Sequence, residues 1–562
     1  MGDTNTYDVI VVGSGISGGW AAKEFCDKGL KTLVLERGKD VQHLKDYPTT
    51  NMMPWEFEHR GDVPQAIKEA NPVVSRCYAF KEDAMHFFVK DTDHPYVQEK
   101  PFDWIRGYQT GGKSLLWARQ TQRWSAYDFE GPARDGFAVD WPIRYKDLEP
   151  WYSYVETFAG ISGNKDGLDI LPDGEFLPPL ALTCVEDYFR DFVKKSYSDR
   201  HVIYGRCAHL TEPKQIHLDQ GRAQCQKRNL CQRGCPFGGY FSSNSSTLPW
   251  AAKTGNLTMK TNAVVHSVIY DDKKGKATGV RVIDALTKKV TEYFARIIFV
   301  NAAALNTNLI LLNSTSSRFP NGLGNDNGLL GKYVAFHNYR ARINAVHEGH
   351  LDKTTDGRRH TSAYIPRFRN VKKQETDFLR GYAAGFSAER SSKRDTSGFG
   401  LDLKANLDKK EWGPWRVGSH MMGETIPKES NYVRLADQKD EWDMPLLSIN
   451  IDYDDNDEKM VKDYLDQLTE MFTKAGFTNI EAADSKQAPG LDIHEMGGVR
   501  MGHDPKTSLL NKWNQLHACP NVFVTDGACM TSTSTQNPSL TYMALAARAA
   551  DYAMQEMKKQ QL

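Results

Sequence analysis

The sequence predicts an α/β fold in two parts, one built on a parallel sheet and one on an antiparallel sheet. The first part is predicted by the opening alternation of a strand at 7–12, a helix at 17–28 and a strand at 31–36, which is a parallel β-α-β unit. The second is predicted by residues 338–455, where short strand-like runs alternate with charged segments and turns. A strand and a long alanine-rich helix follow within 521–557 and return the chain to the first part.

The bulk composition is that of a globular protein large enough for two domains. The chain has 562 residues, of which 40% are hydrophobic and 25% charged. Lys plus Arg and Asp plus Glu both number 71, so no basic excess favours nucleic-acid binding. No apolar run approaches the roughly 18 residues of a membrane-spanning helix, and the N-terminus lacks the cationic region of a signal peptide. We therefore expect a cytoplasmic protein, or one exported to the periplasm by a partner subunit that carries the signal.

A glycine-rich turn joins the first strand to the first helix. It has the form G-x-G-x-x-G and consists of Gly13, Ser14, Gly15, Ile16, Ser17 and Gly18. In a Rossmann-like domain the first glycine permits the tight turn, the second lets a pyrophosphate approach the backbone, and the third lets the helix pack on the strand. Glu36 ends the second strand, where a carboxylate can hold a ribose hydroxyl. The pattern alone suits FAD or NAD, but its place at the extreme N-terminus of a long chain favours FAD.

Further motifs follow in a fixed order along the chain. They are Gly111-Gly112-Lys113-Ser114, Asp140-Trp141-Pro142-Ile143 with Asp147-Leu148-Glu149-Pro150, Asn262-Ala263-Val264-Val265, His494-Glu495-Met496-Gly497-Gly498-Val499-Arg500-Met501-Gly502, and Thr525-Asp526-Gly527 followed by Gln536-Asn537-Pro538-Ser539. Together with the glycine turn, this series resembles the glucose–methanol–choline (GMC) oxidoreductase family over nearly the whole chain.

The resemblance implies the GMC fold, an α/β fold with a Rossmann-like FAD-binding domain and an antiparallel substrate domain. Residues 1–337 and 456–562 would form the FAD-binding domain, with a cysteine-rich insert at 200–245, and residues 338–455 the substrate domain. The implied FAD contacts, by motif, are Gly13, Ser14, Gly15, Ser17, Gly18, Glu36, Arg37, Gly111, Gly112, Ser114, Val265, Asp526, Gly527, Asn537, Pro538 and Ser539. No histidine lies in the Gly111–Ser114 stretch to tether the flavin, so non-covalent binding is expected.

The resemblance also implies that His494 and Asn537 face the flavin ring. An alcohol releases hydride only as its hydroxyl proton leaves, and an imidazole near neutral pH is a suitable base. Asn537 can hydrogen-bond the same oxygen, while the flavin accepts the hydride. Many relatives have two histidines here, and a His–Asn pair also occurs in the family. The pair argues against a non-catalytic electron-carrying flavoprotein, which needs no base, whereas a nicotinamide-dependent dehydrogenase stays open until the cofactor is identified.

Three of the nine cysteines, Cys225, Cys231 and Cys235, lie close together and are followed by a proline. Thiolates at such spacing hold zinc or an iron–sulfur cluster. Structural zinc needs a fourth ligand, for which His209 or His217 is near in sequence, whereas three cysteines followed by proline fit an iron–sulfur site better. Buried thiols without a ligand are the third possibility.

Within the family, this spacing resembles that of cluster-bearing FAD-dependent sugar dehydrogenases. The resemblance implies a [3Fe–4S] cluster that passes electrons to an external acceptor such as a cytochrome c, a small accessory subunit, and a dehydrogenase rather than an oxidase. The implied substrate is a sugar or glycoside oxidised at C3 of a glucoside, with glucose 1-dehydrogenase or another polyol or gluconate dehydrogenase as the alternative. His420 and Glu424 are candidate sugar contacts.

Overall fold

The structure is a computed structural model that describes residues 5–354 and 363–561. Its strands are β1 Thr6–Val12, β2 Thr32–Leu35, β3 Val97–Gln98, β4 Ile161–Ser162, β5 Phe176–Leu177, β6 Leu257–Lys260, β7 Ala263–Asp271, β8 Lys276–Asp284, β9 Val290–Val300, β10 Lys332–Ala335, β11 His337–Asn338, β12 Ala341–His347, β13 Ala363–Ile365, β14 Tyr382–Arg394, β15 Lys410–Glu424, β16 Tyr432–Lys439, β17 Pro445–Asn450, β18 Thr478–Asp484, β19 Met496–Gly498, β20 Gln515–Leu516 and β21 Cys519–Phe523. Its α-helices are α1 Ile16–Asp27, α2 Gln65–Ala70, α3 Ala126–Asp135, α4 Tyr145–Ala159, α5 Cys184–Ser196, α6 Gln215–Asp219, α7 Thr247–Lys253, α8 Ala304–Asn313, α9 Leu401–Asp408, α10 Asp455–Lys474 and α11 Ser539–Lys558.

The largest sheet has eight strands and contains the predicted β-α-β unit. Strand β1 lies at its centre and pairs in parallel with β2 and β9, and the parallel order continues to β6 on one side and β21 on the other. Val9 and Val11 are fully buried on one face of β1, under the first and last helices, and Ile10 is fully buried on the other. Burial on both faces is typical of a parallel sheet and explains the unbroken apolar run of this strand.

The second large sheet has six strands and is antiparallel, which confirms the predicted fold class. Its order is β13-β14-β15-β12-β18, and β11 also pairs with β15. Side chains alternate between the two faces of a strand, and one face packs against α5 and α10 through apolar residues such as Phe386, Val417 and Met421. The other face is turned away from α10. The predicted domain boundary at 455/456 stays a prediction, since strand pairing crosses it where β18 joins β12.

A five-stranded sheet, β19-β10-β16-β17-β3, connects the two larger sheets. In it β10 and β19 are antiparallel partners, with Ala335 opposite Met496. His337 follows β10 and His494 precedes β19, so this pairing brings two histidines from distant parts of the chain side by side.

Within residues 5–354 and 363–561, no helix combines the length and apolar character needed to cross a bilayer.

Candidate functional site

The glycine turn after β1 is closely packed at its ends and open in its middle. Gly13 has a φ of 92°, and a Cβ placed there would lie 2.3 Å from the carbonyl oxygen of Asn301 at the end of β9. A Cβ at Gly18 would lie 1.9 Å from the carbonyl oxygen of Gly13. At Gly15, by contrast, no heavy atom lies within 4 Å of the Cβ position. Open space therefore faces the N-terminus of α1 where a pyrophosphate would bind, and the residues present fit the dinucleotide.

Glu36 is buried beneath this turn and holds it in place. One carboxylate oxygen accepts the backbone N–H of Gly38 at 2.9 Å, and the other accepts the backbone N–H of Ser14 at 3.1 Å and also its hydroxyl. Burial raises the pKa of Glu36, while these hydrogen bonds lower it. The predicted ribose contact stays a prediction, since in this structure the carboxylate supports the turn itself.

Arg37, the residue after Glu36, packs against two aromatic rings. Its guanidinium carbon is 4.6 Å from the ring centroid of Tyr108 and 5.1 Å from that of Trp442. Val265, the other predicted contact in this region, lies in β7 opposite Val282.

The Gly111–Ser114 loop lies on top of the glycine turn. The N–H of Gly111 donates to the hydroxyl of Ser14 at 2.9 Å, and the hydroxyl of Ser114 donates to the carbonyl of Gly111 at 2.6 Å. A Cβ on Gly112 would lie 3.6 Å from the Cα of Gly15. Two segments predicted to contact the flavin are therefore in direct contact with each other.

Glu495 connects this loop to the C-terminal segment. Lys113 Nζ forms an ion pair with a carboxylate oxygen of Glu495 at 2.9 Å. A Cβ on Gly527 would lie 2.3 Å from the Glu495 carbonyl oxygen, so the segment after Asp526 packs directly against it. Asp526 accepts the hydroxyl of Thr307 at 2.6 Å, and burial raises its pKa to about 6.

His494 and Asn537 lie in hydrogen-bonding contact, as their motifs predicted they would meet. Asn537 Nδ2 is 3.1 Å from His494 Nε2. Asn537 immediately precedes Pro538 and Ser539, where α11 begins. The helix therefore fixes the backbone that carries the amide.

His337 is the third member of the group formed with His494 and Asn537, and it lies in none of the motifs that the sequence shows. Its Nδ1 is 2.8 Å from His494 Nδ1, and its Nε2 is 3.0 Å and 3.1 Å from the carbonyl oxygens of Thr533 and Ser534. Carbonyls only accept, so His337 Nε2 carries the proton and His337 Nδ1 must accept. The proton between the rings therefore belongs to His494 Nδ1. His494 Nε2 is left as a lone pair facing Asn537.

The electrostatics keep both imidazoles neutral. Burial lowers the pKa of His337 to about 4, and desolvation, together with His337 and Lys113, lowers the pKa of His494 well below its usual value. Asp492 accepts the backbone N–H of His337 at 2.8 Å and of His494 at 3.3 Å, and burial raises its pKa to about 7. A basic nitrogen is therefore available at neutral pH without first losing a proton.

The three clustered cysteines line one small cavity. Cys225, Cys231 and Cys235 are half-buried and surround it together with His209, and its volume is about 40 Å³. His209 Nε2 lies 3.9 Å from the sulfur of Cys231. His217, the other histidine considered for zinc, is bound elsewhere, with one ring nitrogen accepting a backbone N–H at 2.9 Å and the other facing a carbonyl oxygen at 3.0 Å.

The cysteine-rich segment contacts the loop that lies on the glycine turn. Arg119 donates to the carbonyl of Cys231 at 2.9 Å and lies over the ring of Tyr240 at 4.3 Å. The hydroxyl of Tyr240 donates at 2.9 Å to the carbonyl of Leu115, the residue after Ser114. A chain of direct contacts therefore joins the cavity to the Gly111–Ser114 loop.

The two candidate sugar contacts have different surroundings. The imidazole of His420 makes no hydrogen bond within the described part of the chain, and its ring centroid is 5.4 Å from that of Tyr339. Glu424 is fully buried, and one of its oxygens accepts from Arg367 at 2.7 Å and from Arg380 at 3.0 Å. Its other oxygen has no hydrogen-bond partner within the described ranges of the chain. His420 is thus available to a ligand, whereas Glu424 belongs to a buried ionic group.

Comparison with known proteins shows matches along the whole chain. Two family models described as GMC oxidoreductase match residues 190–337 and 427–546. The chain is 28% identical to 2-methyl-1,2-propanediol dehydrogenase of Mycolicibacterium austroafricanum, covering 97% of this chain and 94% of that protein. It is 24% identical to the fructose dehydrogenase large subunit of Gluconobacter japonicus, covering 99% of both. The crystal structure of pyridoxine 4-oxidase from Mesorbium loti shares the fold, with a TM-score of 0.59 at 15% identity over 98% of this chain and 99% of that one.

Proposed function

Because the chain belongs to the GMC oxidoreductase family, whose members act on CH–OH donors with FAD, we propose that it is an FAD-dependent dehydrogenase that oxidises C3 of a glucoside to the ketone. The observation that carries this proposal is the unprotonated His494 Nε2 beside the amide of Asn537. An electron carrier has no use for such a base next to its flavin.

His494 removes the hydroxyl proton of the substrate. The hydroxyl binds where Nε2 and the Asn537 amide converge, so the imidazole accepts its proton while the amide donates to its oxygen. The imidazolium that forms keeps its Nδ1–H bond to His337, whose own N–H is held by two backbone carbonyls. His337 therefore fixes the reactive tautomer of His494 without touching the substrate.

FAD supplies the ring that accepts the hydride. The phosphates would lie in the open space at Gly15, held by the backbone around Ser14 and Ser17, and Arg37 would reach the nucleotide end. The flavin end would contact Gly112, Ser114 and the segment around Gly527. No histidine occupies the loop, and non-covalent binding is proposed.

We further propose that Cys225, Cys231 and Cys235 hold a [3Fe–4S] cluster. The shared cavity, the half-exposed thiols and the contacts through Tyr240 to the flavin loop support this placement. The cluster would supply one-electron transfer to an external acceptor such as a cytochrome c, reached with the help of a small accessory subunit. Iron and sulfide analysis of the purified protein tests the assignment directly, and zinc without sulfide would reject it.

A polyol or free-sugar dehydrogenase is the second candidate. The relatives named 2-methyl-1,2-propanediol dehydrogenase and fructose dehydrogenase favour it, since both names describe hydroxyl oxidation outside a glucoside ring. Gluconate oxidation and oxidation of glucose at C1 belong to the same alternative.

The deciding experiment offers the holoenzyme an artificial electron acceptor with methyl glucoside, glucose, lactose or gluconate, and identifies the product by NMR. Methyl glucoside is blocked at C1, so a 3-keto product establishes the proposed reaction. A lactone formed from free glucose, with no reaction of methyl glucoside, establishes the alternative.

A further inference from the structure

A row of polar side chains crosses the antiparallel sheet on the face turned away from α10. Tyr364 lies opposite Gly385, Gly385 opposite His420, and His420 opposite Arg342. Directly opposed residues share a face, so the side chains of Tyr364, His420 and Arg342 lie on one side of the sheet. The apolar residues that alternate with them pack against the helices on the other side.

This row lies on the same face of the sheet as the pair formed by His337 and His494, called the histidine pair below. On β15, Glu424 is opposite His337, and His420 lies four residues before it, which is about 14 Å at the usual rise of an antiparallel strand. Tyr339 packs against the far end of this interval, with its ring 5.4 Å from that of His420 and 3.7 Å from the guanidinium carbon of Arg342. The histidine pair and Arg342 therefore lie on the same face of one sheet, four residues apart along β15.

Arg342 is a cation without a counter-charge. One terminal nitrogen donates to the carbonyls of Tyr339 at 2.5 Å and Ala341 at 3.0 Å. Among residues 5–354 and 363–561, its other donors have no hydrogen-bond partner and no carboxylate forms an ion pair with it.

His420 and its neighbours leave room and hydrogen-bonding capacity beside that charge. A Cβ on Gly385 would lie 2.1 Å from the His420 ring, so the glycine allows the imidazole to lie across the strand. Burial, with a contribution from Arg342, lowers the pKa of His420 to about 3, so the ring is neutral. The buried hydroxyl of Tyr364 also lacks a hydrogen-bond partner among the residues that the structure describes.

We propose that Tyr339, His420 and Arg342 form a second subsite that binds the distal unit of the substrate, and that this unit carries a carboxylate. The proposal rests on the proposed function, in which the proximal unit is oxidised beside His494. Guanidinium pairs with carboxylate in a planar, two-bond geometry. Because the two positions are four residues apart along β15, about 14 Å between backbone positions, we place the acidic group on the unit beyond the oxidised one.

The test compares two substrates that differ only in the distal unit, cellobiose and its acid, cellobionate. With an artificial acceptor and FAD-loaded enzyme, we expect kcat/KM to be about 10-fold or more higher for cellobionate, mainly through KM, because a charged hydrogen-bonded pair contributes binding. In Arg342→Gln the two sugars should become equal. Arg342→Lys should keep part of the preference, since it retains the charge without the fork.

Arg416→Gln is the matched control. Arg416 is an exposed arginine of the same strand, four residues further from the histidine pair than His420. Its loss should leave the preference unchanged. Equal kcat/KM for both sugars in the unaltered enzyme, or a preference that survives in Arg342→Gln, would overturn the subsite.

Calorimetric binding separates this proposal from the proposed function. If neither sugar reduces the flavin, the proposed reaction fails, and cellobionate binding then tests the subsite alone. Binding that is lost in Arg342→Gln and kept in Arg416→Gln supports the subsite, and absence of binding to the unaltered enzyme rejects it. Flavin content and thermal unfolding show whether each variant is folded. If Arg342→Gln does not fold, Arg342→Lys is compared with Arg416→Gln instead.

Discussion

The histidine pair and the cysteine-lined cavity differ in how far the polypeptide itself completes their bonding. Each ring nitrogen of His337 and His494 has a polar partner within 3.1 Å. At the cavity the sulfurs take part in hydrogen bonds of the length usual for sulfur, 3.4 Å from the N–H of Gly239 to Cys235 and 3.9 Å between His209 and Cys231.

Both regions contain backbone with positive φ, which beside the histidine pair is found at Ile493, 65°, and Ser534, 58°. The cysteine-rich loop includes Lys227 and Asn229, both with positive φ, at 53° and 55°. Residues other than glycine adopt this conformation only when their surroundings hold them there. The two regions differ instead in the space beside their reactive atoms: the ring nitrogens all have partners within the protein, whereas the three thiols line a cavity. The chemistry of the histidine pair therefore depends on its protonation, whereas that of the cysteine-lined cavity depends on the group that it binds.

The largest expected effect is at the histidine pair. We expect His494→Gln to lower kcat/KM for methyl glucoside by about 10³-fold, because the general base is lost. Flavin content should be unchanged, since the glycine turn is untouched. Steady-state dye reduction and the flavin-to-protein absorbance ratio measure both, and a loss below tenfold would remove His494 as the base.

His337→Phe should lower kcat/KM by about 100-fold, less than the ~10⁴-fold cost of a wrong tautomer in a protease triad. The substitution removes the acceptor that fixes His494 Nδ1–H, and also a neighbour that lowers the pKa of His494. That pKa should therefore rise toward its ordinary value, so activity should begin to fall at a higher pH than in the unaltered enzyme. A pH profile of kcat/KM measures this, and an unshifted acid limb would show that His337 is only structural.

At the cysteine-lined cavity, Cys231→Ser should abolish bound iron. The rate of anaerobic flavin reduction by sugar should stay within about threefold of that of the unaltered enzyme. Turnover with a one-electron protein acceptor should fall by about tenfold or more, since only the exit of electrons is affected. Cys184→Ser, a half-buried thiol outside the cavity, is the control and should change neither. Iron content and electron paramagnetic resonance are the measurements, and full iron in Cys231→Ser would exclude this cysteine as a ligand.

The smallest effect concerns stability near the histidines. The pKa of Asp492 is raised to about 7 in the folded chain, so between about pH 4 and pH 7 the folded state holds a proton that the unfolded state has released. This contribution to stability is present at low pH and is lost as pH rises through 7. Asp492→Asn should therefore gain stability relative to the unaltered protein on going from pH 5 to pH 8, by about 1–2 °C in Tm. An equal difference at both pH values would contradict the raised pKa.

The sequence predicted the parts of the site that are carried by local motifs. The glycine turn, the Gly111–Ser114 loop and the meeting of His494 with Asn537 follow from motifs whose geometry is local or belongs to the family. His337 could not be found this way, because it lies 157 residues from His494 and meets it only through the pairing of β10 with β19.

Partners that are set by tertiary packing were equally out of reach. Alternation can predict that 478–484 is a strand, but not that it joins the antiparallel sheet. The spacing of the cysteines left His209 and His217 equivalent, and only the fold shows which of them reaches the cavity. The sequence made Glu424 a candidate sugar contact, and only the fold shows that Arg367 and Arg380 donate hydrogen bonds to it.

The central claim is that a glucoside loses its C3 hydrogen as hydride to the flavin while His494 takes the hydroxyl proton. Anaerobic rapid mixing of the holoenzyme with methyl glucoside, unlabelled or deuterated at C3, tests it most directly. We predict that the oxidised-flavin absorbance disappears severalfold more slowly with the deuterated sugar and hardly at all in His494→Gln. Equal rates for the two sugars, or a flavin that stays oxidised in the unaltered enzyme, would contradict the account.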